Sequence, residues 1–154
     1  MKLLIQRVAW AEVEVDKRIV GRVERGLLIY VGVAGDDALG DATAAAEKVV
    51  HLRIFEDDQG KLNQSVLEID GAVLAVPNFT LLADTRRGRR PAFTDAAPPE
   101  TGRAIFDAFV RGISDSNCRV ETGRFGAHMI VRSAAAGPAN IVLDYPLREQ
   151  GSRS

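Results

Sequence analysis

The sequence predicts a single α+β domain, a curved and mostly antiparallel β-sheet or barrel with two helices. Three observations carry that prediction. Val13 and Val15 alternate with Glu12, Glu14 and Asp16, the period-two mark of a half-buried strand. Leu27 to Val33 is almost continuously apolar, with Gly32 inside it, as in a strand buried on both faces. Two further stretches switch to helical spacing. A chain of 154 residues is enough for one such core. No internal repeat or linker divides it, so one domain is expected over 1–146, with 147–154 as a disordered tail.

Each element has a local reason. Lys17-Arg18 separates the first strand from Ile19-Val20 and predicts a hairpin. Asp36 and Asp37 are N-cap candidates for a helix near 37–51, in which Ala42, Ala45, Ala46, Val49 and Leu52 share a face. Asp57, Asp58 and Gly60 mark a turn. Asp70-Gly71 stands between Val66–Ile69 and Val73–Val76, a strong short signal for a hairpin. Residues 84–99 hold four arginines, three prolines and few apolar side chains, and read as a long functional loop. Pro98-Pro99-Glu100 opens a second helix with Ile105, Phe106, Phe109 and Ile113 on one face. Strands are expected near 119–122, 128–134 and 139–145.

Composition narrows the function classes. The chain is 46% hydrophobic and 27% charged, with a formal net charge of -1, so any attraction to nucleic acid must come from a local basic patch. No apolar run approaches the ~20 residues that span a bilayer. Met1–Arg7 meets charge too early for a signal peptide. A lone cysteine, Cys118, excludes an intrachain disulfide and suits a reducing cytoplasm.

Neither His51, on the first helix, nor His128, in a late strand, has a second metal ligand at i+2 to i+4, so no metal site is expected. Cys118 reads as a buried or half-buried thiol rather than a nucleophile. Phosphate-cradling glycine loops, nucleophile elbows and zinc motifs are absent from the sequence. Two stretches remain. Pro77-Asn78-Phe79-Thr80-Leu81 ends a strand, where unpaired N–H groups can stabilise an oxyanion and Phe79 can stack on a base. Ala136-Gly137-Pro138-Ala139 places an X-Pro bond among small residues that admit close approach of a ligand. The plain alternatives are a strand-to-loop junction and an ordinary turn.

Longer ordered matches bear on both stretches. They include Leu4-Ile5-Gln6-Arg7-Val8, Leu52-Arg53-Ile54-Phe55-Glu56-Asp57, Gly60-Lys61-Leu62-Asn63, the loop Ala83–Pro91, Phe93–Glu100 and Glu121–Ala127. On these the chain resembles the D-aminoacyl-tRNA deacylase (D-tyrosyl-tRNA deacylase) family from about Met1 to Tyr145. The resemblance implies that family's fold and a cytoplasmic homodimer with active sites at the subunit interface. It further implies a substrate of aminoacyl-tRNA held by its acceptor end, no cofactor, and neither a membrane nor DNA as partner. Pro77–Leu81 occupies the place of a Ser-Gln-x-Thr-Leu motif, which would make Asn78, Phe79 and Thr80 catalytic. Gly137-Pro138 occupies the centre of an Asn-x-Gly-Pro-Val-Thr motif, whose Gly-Pro bond is cis in the family and reaches into the partner's site.

The resemblance implies a mechanism as well. Backbone N–H groups near Phe79 and Thr80 would form the oxyanion hole, and the terminal 2′-hydroxyl of the tRNA would assist the attack. Thr80 as nucleophile is the second choice, since no general base stands near it in sequence. Gly137-Pro138 would exclude every L side chain while admitting D-residues and glycine, with Arg7 holding the segment and Pro77 beside it. Arg86, Arg87, Arg89 and Arg90 would contact tRNA phosphates, the alternative being a solvated basic loop.

The motifs also depart from the family pattern. Pro77 and Asn78 stand for Ser and Gln, Ala135 and Ala139 for Asn and Val, and Asn140 for Thr. Paralogues with a Pro-Gln opening and a trans Gly-Pro bond act on tRNA carrying an L-amino acid. Two alternatives therefore stay open: a deacylase of relaxed chirality acting on L-alanyl- or glycyl-tRNA, and a non-catalytic tRNA-end or protein-binding module.

Overall fold

A computed structural model of the chain describes residues 1–147. Its elements run β1 (Lys2–Val15), β2 (Arg18–Val23), β3 (Gly26–Gly32), α1 (Leu39–Val50), β4 (Phe55–Glu56) and β5 (Leu62–Gln64). They continue with β6 (Ala72–Pro77), a 3-10 turn (Phe79–Leu82), α2 (Pro99–Asp115), β7 (Arg119–Thr122) and β8 (Ile130–Asp144). The expected tail lies, but for Leu147, outside the described residues.

β1 organises the sheet. Along one edge it pairs antiparallel with β8 from Lys2 to Glu14. Along the other it pairs with β3 over residues 2–8 and with β2 over residues 11–15. The β1–β2 turn sets Asp16 at φ 50° and Lys17 at φ 64°, the left-handed pair that a two-residue hairpin loop uses. β3 then pairs parallel with β6, and β6 parallel with β7, so the sheet is mixed toward this edge.

The continuous apolar run of β3 follows from its position. Leu27, Ile29 and Val31 join the core beneath α1 and α2, with Val73 and Ala75 of β6 and Phe109 of α2. Leu28 faces the opposite cluster, with Val13 and Val15 of β1 and Leu74 of β6 inside the curl of the sheet. Both faces are dry, so alternation disappears. Phe55 and Phe109 are fully buried, and truncating either to alanine would cost about 3–5 kcal/mol.

Four expectations are corrected. The segment before Asp70-Gly71 forms no strand. Ser65 N–H donates to Glu68 Oε2 at 2.6 Å and Glu68 N–H to Ser65 Oγ at 3.2 Å, a reciprocal cap that winds 65–70 into a turn. Asp70 closes that turn at φ 53°, and β6 leaves to pair with β3 instead. Neither Asp36 nor Asp37 caps α1: Ala38 precedes it, and Asp41 accepts the Ala38 N–H at 2.8 Å. Asp37 instead takes the Met1 ammonium at 2.6 Å and the Ala34 N–H at 2.7 Å. Residues 130–144 form one strand, not two, because β1 supplies a partner on both sides of Gly137-Pro138. His128 lies in the loop that leads into it.

Candidate active site

β6 and its parallel neighbour β3 end together, and the 77–82 segment is built on that end. Pro77 pairs in register with Val31, and Asn78 N–H donates to the Val31 carbonyl at 2.8 Å. Successive N–H groups along a strand point to opposite edges, so the N–H that proline lacks would have pointed away from β3. The chain then bends into the 3-10 turn, which folds back over Gly32. A Cβ at that glycine would lie 2.4 Å from Leu82 Cδ2, 3.0 Å from Leu81 Cβ and 3.2 Å from the Asn78 carbonyl oxygen, so a larger residue there would displace the Leu82 side chain and press on the turn.

At the start of a 3-10 turn the first N–H groups have no intrahelical acceptor. Leu81 N–H reaches the Asn78 carbonyl at 3.3 Å. Among the described residues, the N–H groups of Phe79 and Thr80 reach none. The Thr80 hydroxyl donates to Asn78 Oδ1, a neutral amide. No carboxylate or imidazole hydrogen-bonds to it among the described residues, so nothing there removes its proton. Phe79 is 58% exposed and meets Phe93 edge-on, with ring centroids 5.1 Å apart.

Phe93 comes from the long loop, which is pinned to the same strand end. Gly35 N–H donates to Asp95 O at 3.0 Å, and Ala97 N–H to Val33 O at 2.9 Å. Farther out, Asp84 and Ala92 exchange both backbone hydrogen bonds and close residues 85–91 into a tip. Arg86 folds back onto Asp84 with its Nε at 2.9 Å and Nη2 at 2.7 Å, so its charge is already compensated. Hydrogen bonds from the Arg86 side chain and backbone hold the Asp84 carboxyl down at about 2. Arg87, Arg89 and Arg90 are exposed on the tip and form no ion pair among the described residues.

The second segment is a bulge. Between the β1–β8 rungs Gln6–Asn140 and Val8–Ala135, one residue of β1 faces four of β8. That residue is Arg7. Its Nε donates to the Ala136 carbonyl at 2.9 Å and its Nη1 to the Ile54 carbonyl at 2.9 Å, tying the bulge to the chain just before β4. Gly137 and Pro138 project at the apex, exposed, and the bond between them is cis. Gly137 has φ 128°, a conformation that L side chains rarely adopt. No hydrogen bond among the described residues joins this bulge to the 77–82 segment of the same chain.

Residues 77–80 thus share one strand end, while Arg7, Gly137 and Pro138 share another place. Three participants escaped the sequence reading. Asp84 had a local signal, a carboxylate two residues from Arg86. Phe93 and the Ile54 carbonyl had none, because their contacts are long-range. Cys118 is buried, which pushes its thiol up, as expected of a packed rather than a nucleophilic cysteine. No cluster of three metal-ligating side chains occurs among the described residues. No helix among them is long and apolar enough to cross a membrane.

The architecture defines the class first. It matches the structure described as "c-Myc DNA Unwinding Element Binding Protein" with a TM-score of 0.89 and 30% identity, covering 96% of this chain and all of the other. A structure titled as a probable eukaryotic D-amino acid tRNA deacylase matches with a TM-score of 0.78 at 20% identity, over 92% and 97% of the two chains, and shows the fold alone. The chain belongs to the D-Tyr-tRNA(Tyr) deacylase family of hydrolases, which matches residues 4–144. D-aminoacyl-tRNA deacylases of Thermotoga petrophila and Anaeromyxobacter dehalogenans are 49% and 50% identical to it, each over 94% of this chain and 97% of theirs. That of Chloroherpeton thalassium is 45% identical over 97% of this chain and 99% of its own.

Proposed function

We propose that the chain hydrolyses the ester joining a D-amino acid to the terminal ribose of tRNA, as a cytoplasmic homodimer that recycles free tRNA. The observation that carries this reading is the pair of unpartnered N–H groups at Phe79 and Thr80. An aminoacyl ester is already activated, so the demand on the protein is to stabilise the oxyanion that forms when water attacks its carbonyl. One such donor is worth about 10²–10³ in turnover. The attacking water loses its proton and the ribose 3′-oxygen leaves with one. The tRNA 2′-hydroxyl assists that transfer, which suits a strand end whose Thr80 hydroxyl faces an amide. Phe79, exposed and braced by Phe93, receives the terminal adenine.

Chiral selection is assigned to Gly137-Pro138 of the partner subunit. A backbone wall excludes an L side chain by volume alone, and glycine passes it. The location of that wall on an exposed bulge of β8, with no hydrogen bond to its own chain's 77–82 segment among the described residues, supports a cross-subunit role. Arg87, Arg89 and Arg90 are the loop arginines free for tRNA phosphates, with Arg86 engaged by Asp84. A second reading, a deacylase of relaxed chirality, is favoured by Pro77 and Asn78, which stand where the family pattern has Ser and Gln, with the Asn78 amide spent on the Thr80 hydroxyl.

The deciding experiment measures amino-acid release from matched D-tyrosyl-, L-tyrosyl- and glycyl-tRNA. Loss of the D-ester and the glycyl ester with survival of the L-ester is the expected result. Cleavage of the L-ester would transfer the assignment to the relaxed deacylase, and no cleavage at all to a binding module.

A further inference from the structure

A hollow of about 560 Å³ lies between α2 and the chain that leaves β7, on ground that the proposed chemistry does not use. Arg103 and Arg111 of α2 enter it from one side, and Arg124 from the other. Among the described residues, four arginines elsewhere in the chain are neutralised, whereas Arg87, Arg89 and Arg90 of the loop tip are not. Arg22, Arg86, Arg119 and Arg132 each hold a carboxylate. Among the described residues none of the three around the hollow forms an ion pair, although Asp107 shares its lining. Three guanidiniums against one carboxylate leave a concentrated positive charge on a chain whose net charge is -1.

Geometry adds to charge. The Arg103 guanidinium lies 5.1 Å over the Phe125 ring, which orients the plane and leaves its N–H edge free. Planar forks of this kind match tetrahedral oxyanions better than point charges do. The hollow also adjoins the strand end described above. Gly123 lines it and donates its N–H to the Ala75 carbonyl of β6 at 2.9 Å, and a Cβ built on it would fall 2.7 Å from Met129 Sδ and 3.5 Å from Pro77 Cδ.

We propose that this hollow binds a phosphate group through Arg103, Arg111 and Arg124, and that the phosphate is one of the substrate RNA's own backbone. The choice of RNA over a free phosphate compound rests on the deacylase reading; the oxyanion chemistry does not. The hollow anchors the RNA beside the strand end that carries Pro77, and so helps orient the acceptor end at Phe79 and Thr80.

The test follows the guanidinium Nε–H resonances of the three arginines by NMR in the full chain. Inorganic phosphate is added first, then a deacylated acceptor-stem RNA hairpin, with chloride at matched ionic strength as control. Both ligands are expected to shift all three signals. The Arg111→Gln/Arg124→Gln variant should bind the hairpin roughly tenfold more weakly, with the slope of log affinity against log salt reduced by about two. It should still cleave a short aminoacyl-adenosine ester, which has no stem to anchor. Asp107→Asn should tighten phosphate binding. A response to phosphate without one to the hairpin would overturn the RNA assignment and make the site one for a small phosphate compound. Silence toward both would overturn the site itself. Failure of the deacylase reading would show separately, as wild-type protein that cleaves no ester while its arginines still respond to phosphate.

Discussion

The guanidinium of Arg7 occupies the space that a side chain at Gly137 would need: a Cβ built there falls 2.6 Å from Arg7 Nη2. The same arginine holds the carbonyls of Ala136 and Ile54. The shape of the 136–139 bulge is thus set from both sides, by a residue too small to push and a fork that pulls.

Gly137→Ala should break this arrangement twice, through the φ of 128° and through displacement of Arg7. The backbone term alone costs on the order of 1–3 kcal/mol. Because the bulge is exposed, the fold is expected to survive with a lowered melting temperature. Discrimination between D- and L-tyrosyl-tRNA should fall at least tenfold. Unchanged discrimination in a folded variant would remove Gly137 from the selective wall.

Arg7→Lys keeps the charge and loses the fork. A single ammonium cannot keep both carbonyls at 2.9 Å from opposite ends of one plane. Loss of one charge-assisted hydrogen bond is worth about 1.5–3 kcal/mol. The expected result is a folded protein whose kcat falls tenfold or more. Wild-type rates would show that Ile54 and Ala136 need no common tether.

Legibility in the sequence tracked the range of the contacts. Leu27–Val33 was readable because burial on both faces leaves a composition that needs no knowledge of the partner strands. Asp70-Gly71 misled because a left-handed Asp also closes a helical turn, and Ser65-x-x-Glu68, which begins five residues before Asp70, was the stronger local instruction. Asp37 could not be read at all, since its partner is the chain's own amino group 36 positions away. The X-Pro of 137–138 suggested a break, whereas β1 holds the strand on both sides of it. In the site, Pro77–Leu81 and Gly137-Pro138 stood out by resemblance to a family. The ties that shape them, Phe93 on Phe79 and Ile54 on Arg7, are long-range and left no local trace.

Thr80→Ala separates a nucleophile from a bystander. The hydroxyl is exposed and its one bond is to Asn78, so its removal should cost less than about 1 kcal/mol and leave folding intact. With the backbone N–H unchanged, kcat should alter by less than the 10²–10³ that an oxyanion donor supplies. Abolished turnover in a folded variant would make Thr80 the nucleophile, and an unfolded variant would make it structural.

The loop tip carries an acid dependence. Asp84 titrates at about 2 in the folded protein against 3.8 ordinarily, because Arg86 bonds its charged form. A depressed carboxyl contributes stability above its unfolded value and loses it as the pH falls through the folded one. The 84–92 tip should therefore be fully ordered above about pH 4 and loosen as the pH approaches 2. The protection of the Asp84, Arg86 and Ala92 amides, measured against intrinsic exchange, should fall over that window, and in Asp84→Asn it should be low at every pH. A wild-type tip indifferent to acid would mean the Asp84–Ala92 backbone pair holds it alone.

β8 gives the homodimer reading its most direct test. Among the described strands it pairs only with β1, so its outer edge offers unpaired backbone groups along fifteen residues. Ile130 is 47% exposed and Val142 66% exposed on this strand. In an isolated chain Val142→Lys would be a surface change worth within about 0.5 kcal/mol. At an interface it would bury an ammonium against apolar residues at a cost of several kcal/mol. Sedimentation should therefore find the wild type dimeric and the variant monomeric, with its melting temperature lowered by loss of the partner. If the selective wall comes from the second subunit, the monomer also loses discrimination between D- and L-esters. A monomer that still spares L-tyrosyl-tRNA would place the wall within one chain and end the cross-subunit assignment.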